Sequence, residues 1–324
     1  MKAIVCKAFG PPETLAFEEV PSRPLGKSEV RIAVKAAGVN FPDTLIIQGK
    51  YQLKADPPFT PGAEVAGTVL EAGEKVKNVI PGDAAVALVP TGGYAEEVVA
   101  PAEMVMPLPR GMDFKDAAGF PMIYGTSYHA LKQRAQIRPG ETLLVLGAAG
   151  GVGLAALQLG KLMGARVIAA AGSDDKLAFC KQQGADEVVN YTKENLKESV
   201  RKLTQGQGAD VIYDPVGGEL TQECLSCINW NGRHLVVGFA AGKIPEVALN
   251  RLLLKGASAV GVFWGAFVAR EPKANWENFQ QLFAWYGEGK LKPHVSKAYP
   301  LAQAGAALRD MLERRVTGKV VLVP

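Results

Sequence analysis

The residues of this chain with the clearest chemistry are four glycines in one tight segment. Gly147, Gly150, Gly151 and Gly153 lie in "LGAAGGVG", between a β-type run, "TLLVL", and a helical one, "VGLAALQLGKLM". Glycines let the backbone turn sharply and bring its amide N–H groups against a ligand, and the start of a helix adds free donors and partial positive charge. Such a turn suits a pyrophosphate. A strand before it, a helix after it and a second strand ending about twenty residues on form the context of dinucleotide binding. The alternative is a tight turn in some other parallel-sheet protein. On the first reading Gly147, Ala149, Gly150, Gly151 and Val152 are the residues at the phosphates.

The second strand ends "AAAGSDDK" (169–176). NAD binders usually carry an Asp or Glu at this point to accept from the ribose 2′-OH. Here Gly172 and Ser173 occupy the turn and Lys176 follows one helical step on. Room for a 2′-phosphate and a cation to neutralise it favour NADPH. Asp174 and Asp175 are either helix-start carboxylates favoured by the dipole or, if turned inward, opponents of a phosphate.

A second feature poses a problem. Glu64 sits in "PGAEVAG" (61–67) among small apolar residues, with nothing adjacent to neutralise it. A lone buried charge is costly unless paired or coordinated. Other reactive residue types carry less. Cys224 and Cys227 form a single CxxC in a helical run, "ELTQECLSCI", and read as core residues rather than half of a four-ligand zinc site. His129, His234 and His294 have no metal spacing, and no G-x-S-x-G elbow supports serine-hydrolase chemistry.

The elements that must position these residues fall into two textures. Residues 1–120 are rich in Pro and Gly, with short β-type runs such as "EVRIAVKAAGV", "EVAGTVLEAG" and "DAAVALV", the pattern of an irregular β-rich domain. From 121 to 265 strands and helices alternate, ending in an expected strand "SAVGVFW" (258–264). Alternation of this kind means βαβ units and a parallel doubly wound sheet, so the fold class is α/β. The tail, 266–324, carries two helical runs and a last strand, "GKVVLVP", and is expected to return to the first domain. The uncharged stretch 142–160 is long enough for a membrane span, but its glycines would make a poor continuous helix.

Composition bounds the function. The 324 residues are 48% hydrophobic and 21% charged, which is globular, and a net charge of +4 is too weak and scattered for a nucleic-acid surface. Four cysteines are too few for a disulfide scaffold and suggest a reducing compartment, with the cytoplasm as the expected location. "MKAIVCKAFG" reads as a broken strand, without the apolar core of a signal peptide.

Taken together these segments resemble the medium-chain dehydrogenase/reductase superfamily, end to end. "GAEVAGTVLEAGEKV" is similar to its G-H-E-x2-G-x5-G-x2-V pattern, with Ala63 in place of the histidine. Zinc-containing members place a cysteine ligand after the "AAGV" strand, where this chain has Asn40, and a structural-zinc lobe where "ALVPTGGYAEEVV" runs straight through. Glu64 thus resembles a residue left behind by a lost metal site, and no metal is expected. "AAGVNFPDTLIIQGKY", "GAAGGVG", "GSDDK", "VVNY" and "GKVVLVP" resemble the zinc-independent quinone oxidoreductases, the ζ-crystallin group, nearest the quinone oxidoreductase-like branch.

This resemblance implies a GroES-like β domain, a Rossmann domain, NADPH and hydride transfer without metal. It implies that Gly172, Ser173, Lys176 and Tyr191 grip the 2′-phosphate and that Asn40, Asp43 and Thr126 line the nicotinamide end. Gly238, Phe239, Phe263 and Lys319 are expected near the cofactor. Tyr51 matches the proton-donating tyrosine of enoyl reductases, and Leu45 departs from a tyrosine common in the group. The expected protein is an NADPH-dependent reductase of quinones or other electron-poor alkenes and carbonyls. It would act on small molecules, without nucleic acid or membrane, as a homodimer paired through 258–264. The alternatives are an enoyl-thioester or enone reductase and, from another class, an NADPH-binding structural or RNA-associated protein.

Overall fold

The computed structural model describes residues 1–52 and 54–324. By its contacts the chain divides into two units, residues 1–122 with 293–324, and residues 123–292.

The first unit is built on the strand Glu29–Val39. Its early residues alternate between half-exposed and buried, and its last four are buried throughout. Alternation marks a strand with one wet face, and loss of alternation marks the point where both faces are covered. This strand pairs antiparallel with Glu64–Ala72, Glu97–Pro101 and Lys319–Val323. The registers set Gly38 opposite Glu64 and Val39 opposite Val320. Residues 39, 64 and 319, remote in sequence, therefore meet at one end of the sheet. The strand Val295–Pro300 pairs parallel with Lys319–Val323 and extends this sheet, an element with no clear signal in the sequence. The short helix Phe41–Ile46 follows directly from the central strand, entered by a proline in its first turn.

The second unit holds six parallel strands in the spatial order Glu187–Asn190, Arg166–Ala171, Thr142–Leu146, Ala209–Asp214, Ile228–Val236, Ser258–Gly261. This is the doubly wound Rossmann arrangement. Its order reverses between Thr142–Leu146 and Ala209–Asp214, where such sheets bind ligands at the carboxyl ends of the strands. The stretch 142–160 is a strand, a turn and a helix, and among the described residues no helix is long and apolar enough to cross a membrane.

Two expectations need correction. The last strand stops at Gly261 and a helix begins at Trp264. Trp264 is buried, lies over Gly125 and donates its indole N–H to Asn275 Oδ1 at 3.1 Å, so it turns inward rather than continuing the edge. Residues 266–292, expected with the first domain, group instead with the second unit, and the return begins at Pro293. Their long helix, Pro272–Gly287, buries Phe279 and Leu282 and supplies that Asn275 partner.

Candidate functional site

In the second unit the strand Thr142–Leu146 ends at Gly147, whose φ of +56° is left-handed. Gly150 caps the helix Gly151–Leu162 without any side chain to satisfy its first amides. A Cβ on Gly153 would lie 2.3 Å from Gly147 O, so this glycine lets the helix seat on the turn that feeds it. The cradle fits a dinucleotide pyrophosphate: backbone donors, a helix start and no side chains in the way. The adjoining strand end is built similarly. A Cβ on Gly172 would stand 3.4 Å from Tyr191, and Ser173 caps the helix Asp174–Gln182 without a side-chain bond of its own. Lys176 is half-buried in the first turn of that helix.

The open question about the two aspartates has a partial answer. Asn190 Nδ2 donates to Asp174 Oδ1 at 2.6 Å, and Lys193 pairs with Asp174 Oδ2 at 2.5 Å. The hydrogen bonds from Lys193 and Asn190 hold the Asp174 carboxyl below the usual carboxylate range. Its charge is thus engaged by Asn190, the last residue of the strand Glu187–Asn190, and by Lys193 just past it.

Thr126 stands on the helix Pro121–His129. The next residue, Ser127, donates to Val152 O at 2.9 Å and shares a 2.9 Å bond with Tyr213, pinning that helix to the glycine turn. Gly238 and Phe239 follow the strand Ile228–Val236, and their loop is held by Ala240 N–H and Ala241 N–H donating to Pro215 O and Val216 O. Phe263 lies just beyond the edge strand and is exposed. His129 stacks on Phe267 with 4.0 Å between ring centroids, a packing role, and Cys224 and Cys227 are core residues.

In the first unit the puzzle of Glu64 is resolved. It is fully buried, and its Oε1 accepts from Lys319 Nζ at 2.7 Å and from Asn40 Nδ2 at 2.8 Å, while Oε2 accepts from Met122 N–H at 2.9 Å. Lys319 was expected near the cofactor. It is 2% exposed and also donates to Asn40 Oδ1 at 2.7 Å and Val39 O at 2.8 Å, so its three ammonium protons all have internal acceptors. The carboxylate lies so close to the strand that a Cβ on Gly38 would meet Glu64 Oε1 at 2.3 Å.

Asp43 adjoins this cluster. Its Oδ2 accepts from Asn40 N–H at 2.8 Å and from the fully buried Tyr94 O–H at 2.7 Å. Its Oδ1 is buried with no hydrogen-bond partner among the described residues. Burial pushes the Asp43 carboxyl up to about 6, against the pull of the Tyr94 and Asn40 donors and the Lys319 charge. Tyr51 is raised above its ordinary value, first by burial and then by the Asp43 charge. The structure thus brings Asn40 and Asp43 together with Glu64, Lys319 and Tyr94, and puts Tyr51 within electrostatic reach. Sequence reasoning missed Tyr94. No local signal marks it, because its partner lies on another element.

Similarity to known proteins agrees with both halves. Residues 26–110 match the alcohol dehydrogenase GroES-like domain and residues 151–285 the zinc-binding dehydrogenase family. Among the described residues no group of His, Cys, Asp and Glu could hold a metal ion. The chain is 40% identical over 324 residues to the quinone oxidoreductase-like protein 2 homolog of Nematostella vectensis, covering 99% of this chain and 88% of the relative. It superposes with a TM-score of 0.94 on Escherichia coli quinone oxidoreductase complexed with NADPH, at 30% identity over all of both chains. It also superposes with a TM-score of 0.89 on the CurK enoyl reductase, at 28% identity over 99% of this chain and 98% of that one.

Proposed function

The chain belongs to the quinone oxidoreductase family of the medium-chain dehydrogenase/reductases and is an NADPH-dependent oxidoreductase, and from that premise we propose that it reduces quinones and other electron-poor alkenes or carbonyls without a metal. The observation that carries the metal-free reading is the Glu64–Lys319–Asn40 cluster, in which an internal ammonium neutralises the carboxylate that a metal site would have used. Ala63 and Asn40 supply neither imidazole nor thiolate.

NADPH, when bound, supplies the hydride. The residues proposed to hold it are Gly147 and Ala149–Val152 at the pyrophosphate, with Gly172, Ser173, Lys176 and Tyr191 at the 2′-phosphate. Thr126 is assigned to its nicotinamide end, and Gly238, Phe239 and Phe263 lie near the cofactor in this proposal. Asn40 donates to the substrate oxygen on which negative charge grows, a preorganised electrostatic role. Burial first, and then the Asp43 charge, raise the Tyr51 phenol above its ordinary range, so that it stays protonated and able to donate. A charge-assisted phosphate contact is worth about 1.5–3 kcal/mol, so Lys176→Ala should weaken NADPH roughly ten- to a hundredfold and spare NADH. Equal losses for both nucleotides would remove Lys176 from the phosphate.

A second reading, reduction of enones or enoyl thioesters, is favoured by the likeness to the enoyl reductase and by Tyr51. Saturating a C=C bond needs a proton on carbon, which a positioned acid supplies with typically 10²–10⁴-fold effect, whereas solvent protonates a hydroquinone oxygen. The test is NADPH consumption with a quinone, an enone and a 2-enoyl thioester, in wild type and Tyr51→Phe. Selective loss of enone turnover makes Tyr51 the acid; a parallel loss in all makes it a pocket wall; no turnover of any substrate ends the proposal.

We also propose a homodimer. Ser258–Gly261 is the last strand of its sheet, and Ile244, Leu249, Leu253 and Leu254 are all more than two-thirds exposed beside it in sequence. An unpaired edge with apolar flanks is a liability that a twin strand removes. Val260→Lys should lower the mass seen by light scattering, and a monomeric wild type at micromolar concentration refutes the pairing. All four cysteines are buried free thiols, which fits the proposed cytoplasmic location; fractionation of cells with an antibody to the protein tests it.

A further inference from the structure

The amide of Asn40 is fixed beyond ambiguity. Lysine ammonium only donates and carboxylate only accepts, so the atom 2.7 Å from Lys319 Nζ must be Oδ1 and the atom 2.8 Å from Glu64 Oε1 must be Nδ2. Glu64 Oε1 also accepts from Lys319, which closes a three-membered ring of contacts. The backbone N–H of Asn40 is held as well, by Asp43 Oδ2 at 2.8 Å. Every group that could let the side chain rotate is therefore engaged, except one. Nδ2 carries two protons, and the second has no acceptor among the described residues. Of the three side chains in the ring, Glu64 is 0% exposed, Lys319 2% and Asn40 7%, so Asn40 is the member that reaches the surface of its unit.

We infer that Lys319 and Glu64 are positioning residues that lock the Asn40 carboxamide with its second N–H committed to the carbonyl oxygen of the substrate. The inference rests on the reading of the chain as a reductase of quinones and related carbonyls. Glu64 fixes which end of the amide is the donor. Lys319 does two things. It holds Oδ1, so the amide cannot flip and offer an oxygen to an oxygen. It also pairs with Glu64 Oε1, which keeps that carboxylate seated on one Nδ2 proton and leaves the other to the substrate. A donor already oriented needs no reorganisation as that charge grows.

The test is a double-mutant cycle with a 1,4-naphthoquinone and NADPH, using Asn40→Ala, Lys319→Met and the pair. Loss of one oriented donor typically costs about 10²–10³-fold in kcat. Each single variant should approach that loss, with KM and the NADPH dissociation constant changed less than about twofold. The double variant should be no worse than Asn40→Ala, because Lys319 acts only through Asn40. Additive losses, or weaker NADPH binding in Lys319→Met, overturn the inference; the latter would make Lys319 a cofactor contact.

Lys319→Met can fail to fold, so a second measurement uses the wild type. In ¹⁵N-labelled protein, with the signals assigned by their loss in Asn40→Ala, the two Nδ2 protons should be resolved. Addition of hydroquinone with NADP⁺ should move one of them and leave the other. If neither moves, or both move alike, the locked donor does not exist. A wild type that reduces no quinone, enone or enoyl thioester refutes the functional reading and this inference with it. A wild type that reduces quinone at the rate of Lys319→Met refutes this inference alone.

Discussion

At the glycine turn the working surface is backbone, and side chains matter by their absence: a Cβ on Gly153 would press to 2.3 Å from Gly147 O. At the Glu64 cluster the working surface is side chain. Five polar residues, Asn40, Asp43, Glu64, Tyr94 and Lys319, are at most 7% exposed and hydrogen-bond to one another, with Asp43 Oδ1 left over among the described residues. The first arrangement is damaged by adding an atom and the second by removing one. The difference follows from what each region must hold. A pyrophosphate brings its own charge and needs donors with room in front of them. A region that must keep charge in place without a ligand has to supply both signs itself and desolvate them together.

The largest expected effect comes from breaking the charge balance. Glu64→Ala leaves the Lys319 ammonium buried with only neutral acceptors and strips the Met122 N–H of its partner. Removing one member of a buried pair costs about 3–5 kcal/mol, read as a shift in the urea midpoint. Replacing both charges, Glu64→Leu with Lys319→Met, should recover most of it, since apolar replacement of a whole pair is often neutral. A double variant as unstable as the single would place the cost in packing and not in charge.

The complementary break is Gly153→Ala. In an open helix this change stabilises by roughly 1 kcal/mol. Here the methyl group meets Gly147 O at 2.3 Å and Ala148 Cα at 2.9 Å, both backbone atoms that cannot step aside. The sign should reverse to a loss of about 1–3 kcal/mol, accompanied by weaker NADPH binding as the turn is pushed open. Gly287, at the end of its helix with nothing within 4 Å of the same atom, is the control and should gain. If both glycines gain, the close approach at Gly153 does not constrain the turn.

The same contrast explains what could be read from the sequence. The glycine turn and its flanking strand and helix occupy 142–162, so every residue that defines it is local and the pattern is self-contained. The alternation of strands and helices gave the α/β class in the same way. Glu64 announced a missing cation, but nothing nearby could choose Lys319 among 36 lysines and arginines. Their pairing spans 255 residues and depends on strand register. Tyr94 and the Met122 N–H are equally nonlocal. The strand Val295–Pro300 eluded the pattern because its centre, Ser296–Ala298, is exposed and carries a lysine. The 258–264 run was over-extended because Val262, Phe263 and Trp264 are good strand formers. The burial of the Trp264 indole, a tertiary effect, decides otherwise.

The smallest expected effect sharpens the comparison within the charged region. Asp43 has its carboxyl raised from 3.8 to about 6 by burial, so in this folded state the proton is held more tightly than in the unfolded chain. The stability this group contributes is full below about pH 4 and is lost as pH rises through about 6. The Tyr94 O–H opposes that loss, because it donates to Oδ2 and favours the ionised form. Tyr94→Phe should therefore push the carboxyl higher still. Near pH 4.5 the variant gives up a hydrogen bond to a neutral acid, about 0.5–1.5 kcal/mol, and near pH 8 one to a carboxylate, about 1.5–3 kcal/mol. The stability gap between wild type and variant, taken from urea midpoints at pH 4.5, 6 and 8, should widen with pH and turn near pH 6. A gap that stays constant would mean that Asp43 does not change charge in this window and that Tyr94 contributes only its ring to the core.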